Sequence, residues 1–386
     1  MTASARRPHL GALTGLRFVA SLLVLLHHTQ AALAPEGAPW LHALAEQGYL
    51  GVGLFFLLSG FILSYNYLAD GAPVDRGEFW RARFARVYPV YALSLALSLP
   101  LFLRALEREG AGPAGAGAVG AAVLSLTQAW FPSAACEWNC PGWSLSVEAF
   151  FYLAFPFLAG PLVRLPARRL VPAMAALWAA ALVVPALFTA LGLDARAAGP
   201  EGWRTPERLL VQYNPLLHLP EFAIGVLAGR WHLLRQGARA SGAAGWERWG
   251  ASAALAALLA VMVLGGGLPF LLLHNGLLAP LFALLVLALA AGADPLARLL
   301  ARPLPRLLGE ASFALYILHL PLWMFLLAAD KRLGWHLLPS LPVLAAFGAG
   351  AVAVSVLVLR GVEEPARRWL RRRWAGHAAA GAARPG

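Results

Sequence analysis

LTGLRFVASLLVLLHHT, residues 13–29, is an apolar run long enough to enter a bilayer, yet it carries Arg17 near its start and His27 and His28 near its end. Ionisable groups inside a membrane helix are costly, so they point to a site before they point to scaffolding. Arg17 and His28 are eleven residues apart, which at roughly 100° per residue is three turns plus about 20°. Both side chains therefore fall on one stripe, separated by roughly 16 Å along the helix axis. The stripe places a fixed cation near a membrane surface and an imidazole about halfway through a hydrocarbon core of about 30 Å. His27 is rotated from His28 by about 100°.

The rest of the composition agrees with that reading. The 386-residue chain is 60% hydrophobic and only 13% charged, about half the charged fraction of a soluble domain. An all-α, polytopic membrane helix bundle is expected. The net charge is +12 and Lys331 is the single lysine. Because the arginines gather in short stretches between apolar runs, the basic balance reads as cytoplasmic loops rather than a nucleic-acid surface. Cys136 and Cys140 are the only cysteines, too few for a disulfide framework or a Cys-built zinc site. No metal is expected. Their short loop admits either one local disulfide on an oxidising side or two unpaired thiols. Arg6, Arg7 and Ala32-Leu33-Ala34 imitate a cleavable secretory signal, but the apolar run is longer than a usual signal core and is read as a retained first helix.

Taken in order, the first span covers about 10–34. The loop after it holds Glu36, His42 and Glu46 but no Lys or Arg, which puts it outside and both termini in the cytoplasm of an inner-membrane protein. A second span at about 48–68 contains Gly48, Gly51, Gly53 and Gly60, which permit close helix approach. Arg76, Arg81, Arg83 and Arg86 then lead into a third span at about 87–103, with Pro89 placed to break or kink it. Arg83 and Arg86, at i and i+3, share a helix face and suit forked hydrogen bonds to a phosphate, beside their topogenic role. A fourth apolar segment ends near 131. The next carries Glu148 in an otherwise apolar run, with Ser144 one turn before it and Tyr152 one turn after. Further spans begin near 170, 213, 251, 269, 311 and 338. Arg86 and Arg164 should both lie inside although three apolar segments separate them, so one of the three is expected to be re-entrant or broken. The count is eleven apolar segments and about ten crossings. Tyr316 and His319 stand one turn apart, and Glu363 and Glu364 read as a cap where the last span leaves the membrane. Residues 1–374 form one membrane domain, with 375–386 as a disordered tail.

Five strings occur together in this sequence: L-T-G-L-R-F-V-A followed by His28, G-V-G-L-F-F-L-L-S-G-F, F-W-R-A-R-F-A-R-V-Y-P-V-Y, W-S-L-S-V-E-A-F-F-Y and Y-I-L-H-L-P. In content and order they resemble the acyltransferase-3 family of integral membrane acyltransferases, which O-acylate bacterial surface polysaccharides, lipid-linked or peptidoglycan sugars and some antibiotics. The resemblance covers roughly residues 10–365. It implies that Arg17 and His28 match the family's first-helix Arg and His, Arg83 and Arg86 its R-x-x-R, and Trp143, Ser144 and Glu148 its W-S-L-S-x-E. On that basis acyl-CoA, with acetyl-CoA expected, is a donor substrate rather than a tightly bound cofactor. Arg17, Arg83 and Arg86 would hold its phosphates. The partner is a hydroxyl acceptor: a glycan, a lipid-linked sugar or a small metabolite. His28 would act as general base or transient acyl carrier, polarised by Glu148 if the two meet, with Trp143, Ser144, Tyr152, Tyr316 and His319 in support. The competing class is a proton-coupled transporter or flippase of an anionic substrate that uses the same buried polar residues.

Overall fold

The computed structural model describes residues 10–33, 39–69, 73–110, 112–193, 205–238 and 245–382. Among the described residues there is no strand, and nine helical stretches are long and apolar enough to cross a membrane. Helix α1 (Gly11–Thr29) is followed by the short α2 (Pro39–Glu46) and by α3 (Leu50–Tyr67). Helices α1 and α3 pack antiparallel, and glycine makes the contact possible: a Cβ on Gly51 would overlap the Ala20 carbonyl oxygen, and one on Gly48, just before α3, the Leu23 carbonyl oxygen. The close approach anticipated for the second span is therefore present.

Helix α4 (Arg76–Glu109) starts at Asp75, whose carboxylate accepts from the Glu78 N–H at 2.8 Å, and it stops at Gly110, with φ of +62°. It continues through Pro89 and Pro100. Pro89 does not break the helix, and the arginine cluster lies within it rather than in a loop before it.

The excess apolar segment is α5 (Pro113–Leu124). Its twelve residues span roughly 18 Å, too little for a core of about 30 Å. Its end is tied to the middle of α4, where the Tyr88 hydroxyl donates to the Leu124 carbonyl at 3.1 Å and the Tyr91 hydroxyl to the Val123 carbonyl at 2.8 Å. Helix α6 (Gly142–Val163) begins at that same depth, with Gly142 against the Tyr91 ring. Helices α5 and α6 thus make one broken crossing between them, which restores the topological parity. Irregular backbone at such depth needs protein partners. Buried Gln128 supplies one by donating to the Gly142 carbonyl at 2.9 Å, and buried Asn139 another by donating to the Ile317 carbonyl at 3.0 Å. In the loop between the two helices, Cys136 and Cys140 are joined by a disulfide.

Helix α7 (Ala167–Ala190) is followed by α8 (Pro206–Tyr213) and α9 (Pro215–Ala238). Helix α9 carries His218, Glu221, Arg230 and His232 and is not among the nine most apolar stretches, yet it lies at the centre of the bundle. It runs parallel to α3, since Gly225 meets Leu57 and Gly229 meets Phe61, each without room for a Cβ. Helix α10 (Gly245–Leu264), α11 (Phe270–His274) and α12 (Ala279–Ala291) follow. Two short helices, α13 (Pro295–Leu300) and α14 (Pro303–Glu310), cover the start of α1, where Gly15 meets Leu300 and Gly309 meets Thr14. The chain ends with α15 (Ser312–Leu333), α16 (Leu341–Val358), a π-helical turn at Leu359–Glu363 and α17 (Glu364–Ala382). The expected tail is thus helical through Ala382, and residues 383–386 lie outside the described residues. Arg17, Arg86 and Arg306 share one end of the bundle, and the disulfide lies toward the other.

Candidate active site

Four helices bring the ionisable residues together. Helix α1 contributes Arg17, α4 contributes Arg83 and Arg86, α6 contributes Ser144, Glu148 and Tyr152 along one face, and α15 contributes Tyr316. With Ser59 of α3 they line a cavity of about 140 Å³ whose apolar walls include Phe55, Phe56 and Phe313. Seven residues singled out from the sequence therefore meet in one space.

The polar contacts give each group a definite part. Glu148 Oε1 accepts from the Ser59 hydroxyl at 3.0 Å and the Tyr152 hydroxyl at 2.5 Å. The lone pairs of that one oxygen take both donors. Arg86 is paired with Glu363 of the π-helical turn, whose side chain is fully buried. Arg83 lies against the rings of Tyr67, Phe79 and Tyr152 at 5.8–6.0 Å, and its Nε is buried without a hydrogen-bond partner. Among the described residues neither Arg17 nor Arg83 forms a salt bridge, so two of the three guanidinium groups face the cavity with their forked donors uncommitted to a carboxylate.

At the far end of the cavity the Tyr316 and Ser144 hydroxyls are 2.6 Å apart. Tyr316 is followed one turn later by His319, which is fully buried, with ring centres 6.3 Å apart. Two contacts of His319 fix the protons here. Its Nδ1 is 3.1 Å from the Leu315 carbonyl, which can only accept, so the neutral ring carries its proton on Nδ1 and offers a lone pair at Nε2. That lone pair is 3.2 Å from Nδ1 of His28, which is also 2.9 Å from the Val24 carbonyl. Both neighbours of His28 Nδ1 are acceptors, so it holds the proton. Nε2 of His28 is left as the unprotonated, basic nitrogen.

Thus Glu148 is bonded to Ser59 and Tyr152 rather than to His28, and the imidazole of His28 is held by His319. His28 lies beyond His319 and is not among the cavity-lining residues. His27 faces α2 instead, with Nδ1 2.9 Å from the Glu46 carbonyl. Trp143 is buried against Phe56, Tyr213, His218 and His274. Sequence reasoning read Glu363 as a cap and gave Ser59 no role in the site. The signal for Glu363 was available, since an arginine cluster entering an apolar helix calls for a buried carboxylate. Among the described residues no cluster suited to a metal ion is present.

The family model of the acyltransferase-3 proteins, described as an acyltransferase domain, matches residues 10–360. The chain belongs to the acyltransferase-3 family. It is a multi-pass membrane enzyme that transfers acyl groups. This acyltransferase is 31% identical over 381 residues to Acyltransferase MdmB of Streptomyces mycarofaciens, covering 94% of the chain and 93% of that protein. It is 30% identical over 282 residues to Exopolysaccharide production protein ExoZ of Rhizobium meliloti (strain 1021), covering 70% of the chain and 75% of the relative. With O-acetyltransferase OatA of Staphylococcus aureus the identity is 26% over 168 residues, 39% of the chain and 24% of that protein. No solved structure gives a significant match. Family membership decides the sequence alternatives in favour of an enzyme over a transporter.

Proposed function

We propose that this acyltransferase takes an acyl group, acetyl in the simplest case, from acyl-CoA at the arginine end and esterifies a hydroxyl of a glycan, lipid-linked sugar or secreted metabolite. The observation that carries the reading is a run of neighbouring polar side chains that begins in the cavity and ends beyond it. Two uncommitted guanidinium groups stand at one end of a cavity, and at the other end Tyr316 leads to a His319–His28 pair with a free basic nitrogen. Arg17 and Arg83 suit the donor's phosphates, and Arg86 is held in the same wall by Glu363. The pantetheine arm is comparable in length to the roughly 16 Å between Arg17 and His28 along α1. The names of two relatives, one an O-acetyltransferase and one an exopolysaccharide production protein, favour a hydroxyl on a glycan.

In the transfer step the acceptor hydroxyl gives its proton to Nε2 of His28 while its oxygen attacks the thioester carbonyl. The C–S bond breaks, the acyl group remains on oxygen as an ester, and the CoA sulfur leaves with the proton that His28 had taken. His319 orients the ring throughout by accepting from Nδ1. A positioned base of this kind contributes about 10²–10⁴ in rate.

The test uses membranes that hold the native acceptor, supplied with acetyl-CoA, and follows both free CoA thiol and the acylated product by mass spectrometry. His28→Ala, correctly inserted, is expected to lose about 10²-fold or more of acceptor-dependent thiol release. Arg17→Ala and Arg83→Ala are expected to weaken acetyl-CoA binding. Undiminished turnover in His28→Ala would sink the base assignment, and unchanged donor affinity in the arginine variants would sink the phosphate site.

A further inference from the structure

Across Phe56 and Trp143 from the cavity lies a second ionisable cluster that the transfer step does not use. Its members are His218 and Glu221 of α9 and His274 at the end of α11. His218 and Glu221 are each about 1% exposed. The space for the carboxylate is built by two glycines. A Cβ on Gly53 would come within 2.8 Å of Glu221 Oε1, and one on Gly276, whose φ is +95°, within 3.0 Å of Glu221 Cγ.

The backbone dictates what His218 must do. Helix α8 ends at Tyr213 and α9 begins at Pro215, which has no N–H, while the Leu216 N–H is taken by the Asn214 side chain at 2.9 Å. The Gln212 carbonyl, which in a continuous helix would accept from residue 216, is left to His218 Nε2 at 2.8 Å. A carbonyl only accepts, so Nε2 carries a proton. The other nitrogen, Nδ1, is 3.0 Å from Glu221 Oε2. With Nε2 already protonated, a neutral ring would present a lone pair at Nδ1 to a carboxylate that also has only lone pairs. The contact needs one more proton between them, either on Nδ1 as an imidazolium or on the carboxyl group.

We propose that His218 and Glu221 form a proton-holding pair that locks the α8–α9 joint and through it positions Phe56, which lines the cavity, and Trp143 packed behind it. With the proton in place the pair is neutral overall and both bonds are made. Without it a net negative charge is buried and the two groups repel, so the joint opens. The His218 ring supports the wall directly, with centres 5.1 Å from Phe56 and 5.5 Å from Trp143. Among the described residues the titratable and charged groups around the pair are few. Helix α11 presents His274, 5.4 Å from His218 between ring centres, and α8 presents Tyr213 and Arg208. Beyond His274 come Tyr49 and then His27. The packed faces of α3, α6 and α12 offer Gly53, Phe56, Trp143 and Phe282, none of which titrates.

The experiment uses the full chain reconstituted in lipid nanodiscs and needs neither donor nor acceptor, so it stands apart from the acyl-CoA reading. Nitrogen NMR of labelled histidine, together with infrared detection of a carboxylic acid carbonyl that disappears in Glu221→Gln, locates the proton in the unaltered protein. Glu221→Gln supplies an N–H to His218 Nδ1 permanently and cannot lose it. Backbone hydrogen exchange of residues 209–220 is expected to match within about twofold between wild type and Glu221→Gln at neutral pH. At alkaline pH wild type should exchange at least about tenfold faster than the variant. An unprotonated Nδ1 facing an ionised Glu221 at neutral pH would overturn the proposal, as would equal exchange of the two proteins at alkaline pH.

Discussion

At the scale of single residues the site is a set of matched donors and acceptors, and the sequence supplied the members better than the pairings. Arg17, Arg83, Arg86, Ser144, Glu148, Tyr152 and Tyr316 were legible because ionisable or hydroxyl groups in apolar helices need a reason to be there, and their i, i+3 and i, i+4 spacing put them on common faces. Which of them touch was not legible. His28 and His319 are 291 positions apart, and no local periodicity links two helices at opposite ends of a chain. The pairing has a measurable consequence. His319→Ala removes the acceptor that turns the His28 ring, and about tenfold loss of turnover is expected, with an altered pH profile, while acetyl-CoA affinity is kept. His319→Gln, which offers an amide oxygen to His28 Nδ1, should recover part of that loss. Glu363 makes a second case. Glu363→Ala leaves Arg86 without its buried counterion, and removing one partner of such a pair costs about 3–5 kcal/mol. A clear drop in the melting temperature of the purified protein and weaker acetyl-CoA binding are expected together. An unchanged melting temperature would mean that the ion pair contributes nothing to the fold.

At the scale of elements, glycine placement and helix ends decide how close the helices come. Gly309 lies so near Thr14 that a Cβ would overlap its carbonyl oxygen. Gly309→Ala should therefore push α14 from α1 and destabilise by about 1–3 kcal/mol, the usual cost of overpacking, read as lower yield of folded protein and lower melting temperature. Gly115, on the exposed face of α5, has nothing within 4 Å of its Cβ position, and Gly115→Ala is the neutral control. Asp294, between α12 and α13, shows how an acidic group joins elements. Burial alone would raise its carboxyl pKa. The Ser252 hydroxyl and the N–H groups of Ser252, Leu296 and Ala251 more than offset burial and hold it below the usual carboxylate value. A carboxyl depressed in the folded state stabilises fully above its unfolded pKa of about 3.9 and loses that contribution as pH falls through the lower folded value. Neutral pH is thus within its stabilising range. Asp294→Asn should cost about 1–3 kcal/mol there, because amide N–H groups would face backbone N–H groups. The difference from wild type should shrink below about pH 4. The α5–α6 break was foreseen from charge parity alone, but which segment stops short was settled only by Tyr88 and Tyr91 catching the end of α5. Helix α9 was legible as a span, whereas Glu221 within it escaped notice because its partner, His218, sits beside a helix break that local sequence patterns describe poorly.

At the scale of the whole molecule the two ends differ in chemistry, and the difference bears on the proposal that a donor and an acceptor from separate compartments share one site. One end gathers Arg17, Arg83 and Arg86 around the cavity, beside the arginines of α17. The other end carries the Cys136–Cys140 disulfide, a bond that persists on an oxidising side of a membrane. On the proposed reading, positive charge retained inside and a disulfide outside correspond to one and the same orientation. That orientation predicts a sidedness that residue variants do not test. In inverted membrane vesicles, with the arginine end facing the medium, added acetyl-CoA should release free thiol when acceptor is present in the lumen or the bilayer. In intact right-side-out vesicles the same addition should release none until the membrane is permeabilised. Equal rates from both preparations, in vesicles shown to be sealed, would place the donor's mouth at the disulfide end or open the cavity to both sides. Either result would remove the reason for reading the stripe from Arg17 to His28 as a path from one face of the membrane toward the other.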